Sequence, residues 1–419
     1  MKNGTDMQLP KGWKILPISQ VTSLFDDGDW IESKDQSPDG IRLIQTGNVG
    51  IGRFKDRGEK ARYISENTFN RLKCTEIFPN DVIVSRLPDP VGRACILPDT
   101  GDKMITAVDC TIIRFKQEQV ISKWFVYYSM SQLYLDEISK QITGATRQRI
   151  SRKNLGVVKL PLPPLPEQHR IVAILDRCFT AIDRAKTIAS TNLQNARELF
   201  ESYLNGVFEK GGKDWEVKDL DSICNLITCG VAARPNYVTS GVAFLSAKNI
   251  KDGNVIWDDF KFISDETHAQ LTKNNKPIKG DILYTRVGSY GEAAVIETER
   301  EFSLFVSLTL IKVKSEHILN YYLKYYLNSS GVKKMAKKSI SGSGVGNLNV
   351  GTVRKFPVPL PSVQIQQQIV SQLDALQKET KRLEEHYTQK LHDLEELKKA
   401  VLQKAFSGEL VTDTIALPS

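Results

Sequence analysis

The sequence is poor in the residue groupings that carry chemistry. Its six cysteines, Cys74, Cys95, Cys110, Cys178, Cys224 and Cys229, form no C-x-x-C pair; even Cys224 and Cys229 have four residues between them and no histidine nearby. That spacing suits neither a zinc site nor a disulfide framework, and it fits small buried hydrophobes kept as reduced thiols. The five histidines are scattered, with no H-E-x-x-H. No apolar run reaches the roughly 18 residues of a spanning helix, and the opening MKNGTDMQLP lacks the apolar core of a signal peptide. A cytoplasmic protein without membrane contact is therefore expected.

Enzymatic signatures are also missing. There is no G-x-x-x-x-G-K-[ST] loop and no glycine-rich dinucleotide fingerprint. The nearest approach to the Asn/Asp-Pro-Pro-aromatic tetrapeptide of amino-methyltransferases is Asp89-Pro90-Val91-Gly92, which lacks the second proline and the aromatic. Asp26-Asp27 with Glu32-Ser33-Lys34 carries the residue types of one nuclease class, but the segment is turn-rich and the second half has no equivalent. No catalytic residue, no metal and no cofactor of the chain's own is expected.

What the chain does have is length, charge and repetition. Its 419 residues correspond to two or three domains, and 41% hydrophobic with 25% charged residues is an ordinary globular composition. The formal charge of +8 suits a polyanionic partner, because each phosphate met by Lys or Arg releases counterions.

The two halves repeat one another. Lys11-Gly12-Trp13-Lys14 returns as Lys213-Asp214-Trp215-Glu216, and Leu43-Ile44-Gln45-Thr46-Gly47-Asn48-Val49 as Phe244-Leu245-Ser246-Ala247-Lys248-Asn249-Ile250. Asn80-Asp81-Val82-Ile83-Val84-Ser85-Arg86 returns as Gly280-Asp281-Ile282-Leu283-Tyr284-Thr285-Arg286, and Val91-Gly92-Arg93-Ala94 as Tyr290-Gly291-Glu292-Ala293. The offset is 202 at Trp13 and Trp215, 200 at Asp81 and Asp281, and 198 at Pro161 and Pro359. A period this long makes each copy a domain with an appendage, not one unit of a solenoid.

Each copy opens with short apolar runs split by Gly, Pro, Asn and Asp, the punctuation of strands: 41–45, 82–85, 94–97 and 110–115, then 242–246, 282–285, 293–296 and 308–313. A helical patch follows at 122–139 and 318–338, then a loop at 143–149 and 341–347. A proline-rich strip at 160–166 and 356–361 interrupts regular structure. After each strip lies a long helix. In the second, Ile369, Leu373, Leu376, Thr380, Leu383, Tyr387, Lys390, Leu394, Leu397, Val401 and Lys404 follow a 4-3 spacing, the seam of a coiled coil. The matching seam of the first is smaller: Ile171, Leu175, Cys178, Ile182, Ala185, Ala189, Asn192, Ala196, Leu199, Tyr203 and Gly206. Small knobs against large ones suit a close helix pair.

The expected fold is therefore α+β. Two similar β-rich domains, 1–158 and 212–355, alternate with strip-and-helix segments, 159–211 and 356–411, and 412–419 is a tail. The two helices pair as an antiparallel coiled coil about a pseudo-twofold axis. About 40 residues at 1.5 Å each would set the domains at the ends of a rod of roughly 60 Å.

This arrangement resembles the specificity subunit of type I DNA restriction–modification systems. The resemblance covers nearly the whole chain. It rests on the paired elements around Asp81 and Asp281, on the strips Pro161-Leu162-Pro163-Pro164-Leu165-Pro166-Glu167-Gln168 and Pro357-Val358-Pro359-Leu360-Pro361, and on the turns Gln168-His169-Arg170-Ile171-Val172 and Gln366-Gln367-Gln368-Ile369-Val370. The ending Lys404-Ala405-Phe406-Ser407-Gly408-Glu409-Leu410 belongs to the same pattern. The second strip departs from the first, with Pro361-Ser362-Val363-Gln364 where the first has Pro164-Leu165-Pro166-Glu167-Gln168. The resemblance implies two target recognition domains, each reading half of a split, asymmetric site in double-stranded DNA. It implies helices that set the gap and dock two modification subunits, which hold S-adenosylmethionine and methylate adenine. It further implies restriction subunits that use ATP and Mg.

DNA contact needs cations for phosphates and paired donors and acceptors for base edges, and loops on a rigid frame are where both are found. In the first domain the candidates are Ser85, Arg86, Arg93, Thr146, Arg147, Gln148, Arg149 and Arg152; in the second, Thr285, Arg286, Ser289, Tyr290, Lys337, Lys338, Ser341, Ser343, Asn347 and Asn349. Lys333, Lys334, Lys337 and Lys338 place four charges within two helical turns, suited to phosphates, although such a set also serves as a solvated face. Arg86 and Arg286 occupy matched positions, so they either touch backbone phosphates or hold the fold through Asp81 and Asp281. Gly92 and Gly291 suit turns, and Trp13 and Trp215 suit domain anchors.

Two other functions compete: a self-contained DNA-modifying or DNA-cutting enzyme, opposed by the missing motifs, and a coiled-coil scaffold, which has no need of two diverged readers. If the helices act as a ruler, inserting one heptad at matched points in both is expected to lengthen the gap between half-sites and leave each half-site unchanged, as read from the methylated adenines.

Overall fold

The computed structural model describes residues 10–144, 148–212, 214–288, 290–340 and 346–410. The chain divides into two units, Met1–Ala189 with Lys390–Ser419, and Ser190–Gln389.

In the first unit β1 (Lys14–Pro17) leads through a short turn to β2 (Thr22–Asp27), β3 (Gln36–Ser37), β4 (Ile41–Ile44), β5 (Arg62–Ile64), α1 (Glu66–Leu72), β6 (Val82–Ser85), β7 (Ala94–Ile96), β8 (Met104–Thr106) and β9 (Cys110–Phe115). Three helices follow, α2 (Ser122–Tyr128), α3 (Gln132–Ser139) and α4 (Arg152–Val157), then β10 (Lys159–Leu162) and the long α5 (Leu165–Lys210), which leaves this unit after Ala189. One sheet runs β2-β9-β6-β7, all antiparallel, and another runs β3-β5-β4-β8, with β4 and β8 parallel.

The second unit repeats this order: β11 (Glu216–Asp219), β12 (Cys224–Cys229), β13 (Val242–Leu245), the hairpin β14 (Ile250–Lys251) and β15 (Asn254–Val255), β16 (Lys261–Ile263), α6 (Asp265–Thr272), β17 (Ile282–Thr285), β18 (Ala293–Val295), β19 (Phe302–Leu304) and β20 (Leu308–Val313). Then come α7 (Asn320–Asn328), α8 (Ser330–Lys338), α9 (Val350–Arg354), β21 (Pro357–Leu360) and α10 (Val363–Ser407), which leaves this unit after Gln389. Its sheets are β12-β20-β17-β18 and β16-β13-β19.

The repeat extends to single hydrogen bonds. Asp81 accepts from the Phe78 N–H at 2.9 Å and from Arg114 at 2.7 Å; Asp281 accepts from the Ile278 N–H at 2.9 Å and pairs with Lys312. Ser65 and Ser264 cap α1 and α6 by accepting from the N–H three residues on. Gly28 and Gly230 stand where a Cβ would lie 2.3 Å from the Thr106 carbonyl oxygen and 2.1 Å from that of Leu304, so only glycine fits.

The proline strips are more regular than expected. Part of each is a strand, β10 on β1 and β21 on β11, both antiparallel pairs in two-stranded sheets where a missing N–H is tolerated. Each helical patch is two helices, because Ser131 and Ser329 interrupt it. The strips' carbonyls receive the helices that follow the sheets. Trp124 Nε1 donates to the Pro161 oxygen at 3.0 Å, and Tyr322 Oη to that of Pro359 at 2.7 Å.

Both long helices start on a fully buried glutamine. The Gln168 amide donates to the carbonyls of Gln119 and Pro163 at 2.8 and 2.9 Å, and its oxygen accepts from the Ile121 N–H at 3.0 Å. Gln366 does the same with His317, Pro361 and Leu319, at 3.0, 2.9 and 2.9 Å. Within each unit the two helices run antiparallel. Lys186 meets Glu395 at 2.5 Å in the first unit; Asn192 meets Tyr387 at 3.2 Å, Arg197 meets Glu384 at 3.1 Å and Tyr203 meets Gln372 at 2.9 Å in the second. The far end of each helix plugs a core. Phe406 packs on Trp124 and Tyr128, and Phe208 packs on Tyr322 and Tyr326, with ring centroids between 4.7 and 5.5 Å apart.

Of the seam positions, Ile171, Leu175, Ile182, Ala189, Ala196, Ile369 and Leu373 are buried, and Leu376, Tyr387, Leu394 and Val401 are half-buried. Leu199, Leu383 and Leu397 are 50%, 38% and 49% exposed. The shielded stripe of α10 runs through Ile369, Leu373, Leu376, Thr380, Glu384, Tyr387, Leu391, Leu394, Lys398, Leu402 and Ala405, a mean step of 3.6. A straight helix drifts about 20° per heptad from a strict seam. Phe200 and Leu204, pinned in the second unit's core, replace Leu199 and Tyr203 for the same reason.

Among the described residues every cysteine is a free thiol, and burial pushes Cys95 and Cys110 up to about 12. Gln168→Leu is expected to lower stability by about 2–4 kcal/mol in urea unfolding, because two carbonyls and an N–H lose their partner in the core. Gln366→Leu should act alike on the second unit, and a change under about 0.5 kcal/mol would show these bonds to be dispensable. Phe406→Ala is expected to cost about 3–5 kcal/mol by leaving a cavity against Trp124.

Candidate nucleic-acid interface

In each domain the loops after the first strand of one sheet and the last strands of the other gather around one segment, residues 86–93 in the first domain and 286–292 in the second. Gly92 and Gly291, at φ 84° and 87°, turn that segment back on itself. The arginines that open it serve the frame. Arg86 is buried, donates from Nη2 to the Val108 carbonyl at 2.5 Å and lies 3.4 Å from Asp27. Its own carbonyl accepts from the Ile150 N–H at 3.2 Å. Arg286 donates to the carbonyls of Leu348 and Val306 at 2.9 and 3.3 Å, and its carbonyl accepts from the Leu348 N–H at 2.9 Å. Both therefore fasten the loop preceding α4 or α9 to the end of a central strand. Neither reaches Asp81 or Asp281, which lie at the other end of the strand and have other partners.

Ser85 and Thr285 are fully buried beside them. Ser85 donates to the Leu87 carbonyl at 3.2 Å, and Thr285 accepts from the Glu292 N–H at 2.9 Å. Arg93 is buried and addresses four carbonyls: Val49 at 2.7 Å, Leu87 at 2.7 Å, Pro90 at 3.1 Å and Thr46 at 2.9 Å. It ties the 46–49 loop to the 87–90 loop. In the second domain Glu292 stands at its place and accepts from the Gly253 N–H at 3.1 Å. The four-carbonyl clamp gives way there to one contact of reversed polarity, a carboxylate on an amide. Burial raises the Asp27 carboxyl above the ordinary range, against the pull of Arg86.

The exposed candidates lie at the rim of these loops. Gln148 and Arg149 face solvent, and the Arg149 backbone bonds to Thr143 in both directions, at 2.9 and 3.0 Å. Arg152 is half-buried and joined to Asp26. Tyr290 is half-buried beside Gly346, whose Cβ would lie 3.7 Å from its ring. Asn347 is exposed opposite Val287, and Asn349 caps α9 by accepting from the Gly351 N–H at 2.8 Å. Lys337 and Lys338 are exposed on α8, with Lys333 and Lys334. Thr146, Arg147, Ser289, Ser341 and Ser343 lie outside the described residues.

Two surface features carry no mark in the repeat motifs. One is the loop before β5 and the first residue of that strand, where Arg53, Lys55, Arg57, Lys60 and Arg62 are all exposed. Five cations in ten residues are legible in the sequence, but no matched element in the other half points to them. The other is Trp30, 70% exposed in the loop after β2, its Nε1 3.3 Å from Glu32. The Asp26, Asp27, Glu32 and Lys34 set is spent on ion pairs with Arg152, Arg86 and one another. Among the described residues no group of three His, Cys, Asp or Glu is placed to hold a metal, and no helix is long and apolar enough to cross a membrane.

Known proteins share this plan. The EcoKI type I restriction enzyme specificity subunit of Escherichia coli K12 is 23% identical over 428 residues, covering 96% of this chain and 90% of its own. The putative MjaX specificity subunit of Methanocaldococcus jannaschii is 26% identical, covering 97% and 96%. The HsdS subunit structure from Thermoanaerobacter tengcongensis overlays with a TM-score of 0.65 at 19% identity, covering 96% of this chain and 98% of its own. A chain from a solved type I R-M system reaches 0.77 at 18% identity, covering 96% and 100%. The model of the type I restriction modification DNA specificity domain matches twice, over residues 10–191 and 212–393. With one such domain in each half, the chain belongs to the type I restriction–modification DNA specificity family, and its part is recognition of DNA, not catalysis.

Proposed function

We propose that each domain reads one half of a split, asymmetric site in double-stranded DNA, and that the chain directs two modification subunits to it. The observation that carries this reading is the contrast inside the repeat. Matched residues build the same buried frame in both domains, whereas the side chains on the loop rims differ: Gln148 and Arg149 in one, Tyr290, Asn347 and Asn349 in the other. Two frames with different rims suit two different half-sites. Gln148 and Asn347 have the paired donor and acceptor that fit adenine, and Arg149 fits guanine or phosphate. Lys337 and Lys338 are suited to phosphates. Methyl transfer, with its S-adenosylmethionine, and ATP- and Mg-dependent restriction would belong to partner subunits in the cytoplasm. The long helices, with their exposed charged faces, would carry those partners.

Selection from random duplexes with the assembled methyltransferase tests this. A two-part consensus is expected, and recovery of no consensus overturns the reading. Arg149→Ala should weaken binding and flatten its dependence on salt, the slope falling by about 0.9 when one phosphate is no longer neutralised. Asn347→Ala should relax one position of one half-site, by about 1–3 kcal/mol of discrimination, and leave the other half-site intact.

A further inference from the structure

The two domains keep their free positive charge on different elements. In the first, the 53–62 segment carries five cations against Asp56 and Glu59. Asp56 is already held by the buried Arg42 at 2.5 Å, and among the described residues none of the five cations makes an ion pair. The Arg57 guanidinium lies over Gly47, where a Cβ would sit 2.7 Å from Nη1. The corresponding stretch of the second domain, 254–261, has one lysine against Asp258 and Asp259, and the neighbouring Lys248 is paired to Asp259 at 2.8 Å.

The helices show the reverse. In α8, Val332 and Ala336 face the core, and Lys333, Lys334, Lys337 and Lys338 face water with no carboxylate partner among the described residues. Its counterpart α3 carries Asp136 and Glu137, and the lysine that follows it, Lys140, is bonded to Glu137 at 2.6 Å. Both elements flank the same segment. Gly52 donates to the Ala94 carbonyl at 3.0 Å, and the Gly253 N–H donates to Glu292 at 3.1 Å. A Cβ on Gly92 would meet Ile138 of α3 at 3.1 Å, and one on Gly291 would meet Lys333 at 3.7 Å.

We infer that the DNA backbone is gripped by the 53–62 segment in the first domain and by α8 in the second, two different elements that border the same reading segment. This rests on the DNA reading above and adds where the phosphates lie. Unpaired cations clustered on one rim lower the cost of approaching a polyanion, and the paired cations of the matching elements are already neutralised. The grip therefore differs between domains although their frames agree.

The test uses the full chain in its assembled methyltransferase and the duplex selected by the wild type. R53Q/K55Q/R57Q and K333Q/K334Q/K337Q/K338Q are compared with the charge-keeping R53K/R57K and K333R/K334R/K337R/K338R. Each glutamine set is expected to reduce the slope of log affinity on log salt, by up to about 2.7 and about 3.6 respectively. Each should erase ethylation-interference signals at one half-site, a different one for each set, and the charge-keeping sets should keep both. Unchanged slopes for either set, or both sets acting on one half-site, overturn the assignment. A wild type that selects no duplex would instead defeat the DNA reading itself.

Discussion

The structure depends on an aromatic plug. Each β-rich domain has a cleft between its α2 or α7 helix and the proline strand, and its own sequence does not fill it. The end of a long helix does. Phe406 enters against Trp124 and Tyr128, and Phe208 against Tyr322 and Tyr326. Burying such a ring outweighs any of the exposed ion pairs between the helices, which are worth at most about 1 kcal/mol each. The first unit is therefore discontinuous in sequence: residues 390–410 are part of its core. Arg170 reinforces this by donating to the Leu410 carbonyl at 3.1 Å.

Around the plugs the two copies solve the same packing problem with exchanged side chains. Tyr134 of α3 donates to the Gly92 carbonyl at 2.8 Å, above Val84 of the sheet. In the second copy the matched helix position holds Val332 and the matched strand position Tyr284, whose hydroxyl approaches Gly291 from the other side. Ring and small residue trade places and the volume is conserved, as close packing requires. The exchange is imperfect, since the buried Tyr284 hydroxyl lacks the hydrogen bond that Tyr134 makes.

Much of the frame was legible because it recurs. Strands at 82–85, 110–115, 282–285 and 308–313 have the residues expected of them, since apolar runs between turn formers have few other ways to be buried. The helices α1, α4, α6 and α9 were not legible, because five to eight residues are too few to show periodicity. The seam has the spacing of a strict heptad, and spacing alone does not reveal that domain cores pin the helix ends. At the interface, sequence could not tell a buried arginine from an exposed one. Arg86, Arg93 and Arg286 look like phosphate ligands on paper, but Arg93 and Arg286 spend their donors on carbonyls, and Arg86 turns inward to the Val108 carbonyl and Asp27. Repetition exposes what two copies share and hides what they do not, and the basic segment at 53–62 is where the copies differ.

The Arg93 clamp has a bearing on how such a protein changes over time. Its four partners are main-chain oxygens, which every residue type supplies. Side chains at Thr46, Leu87 and Pro90 can be exchanged without removing an acceptor, and only Val49 is also tied to the core by its side chain, so the scaffold holds these loops chiefly by their backbone. If the loop rims read DNA as proposed, a lineage acquires a new recognition sequence by substitutions there while the clamp's acceptors stay in place.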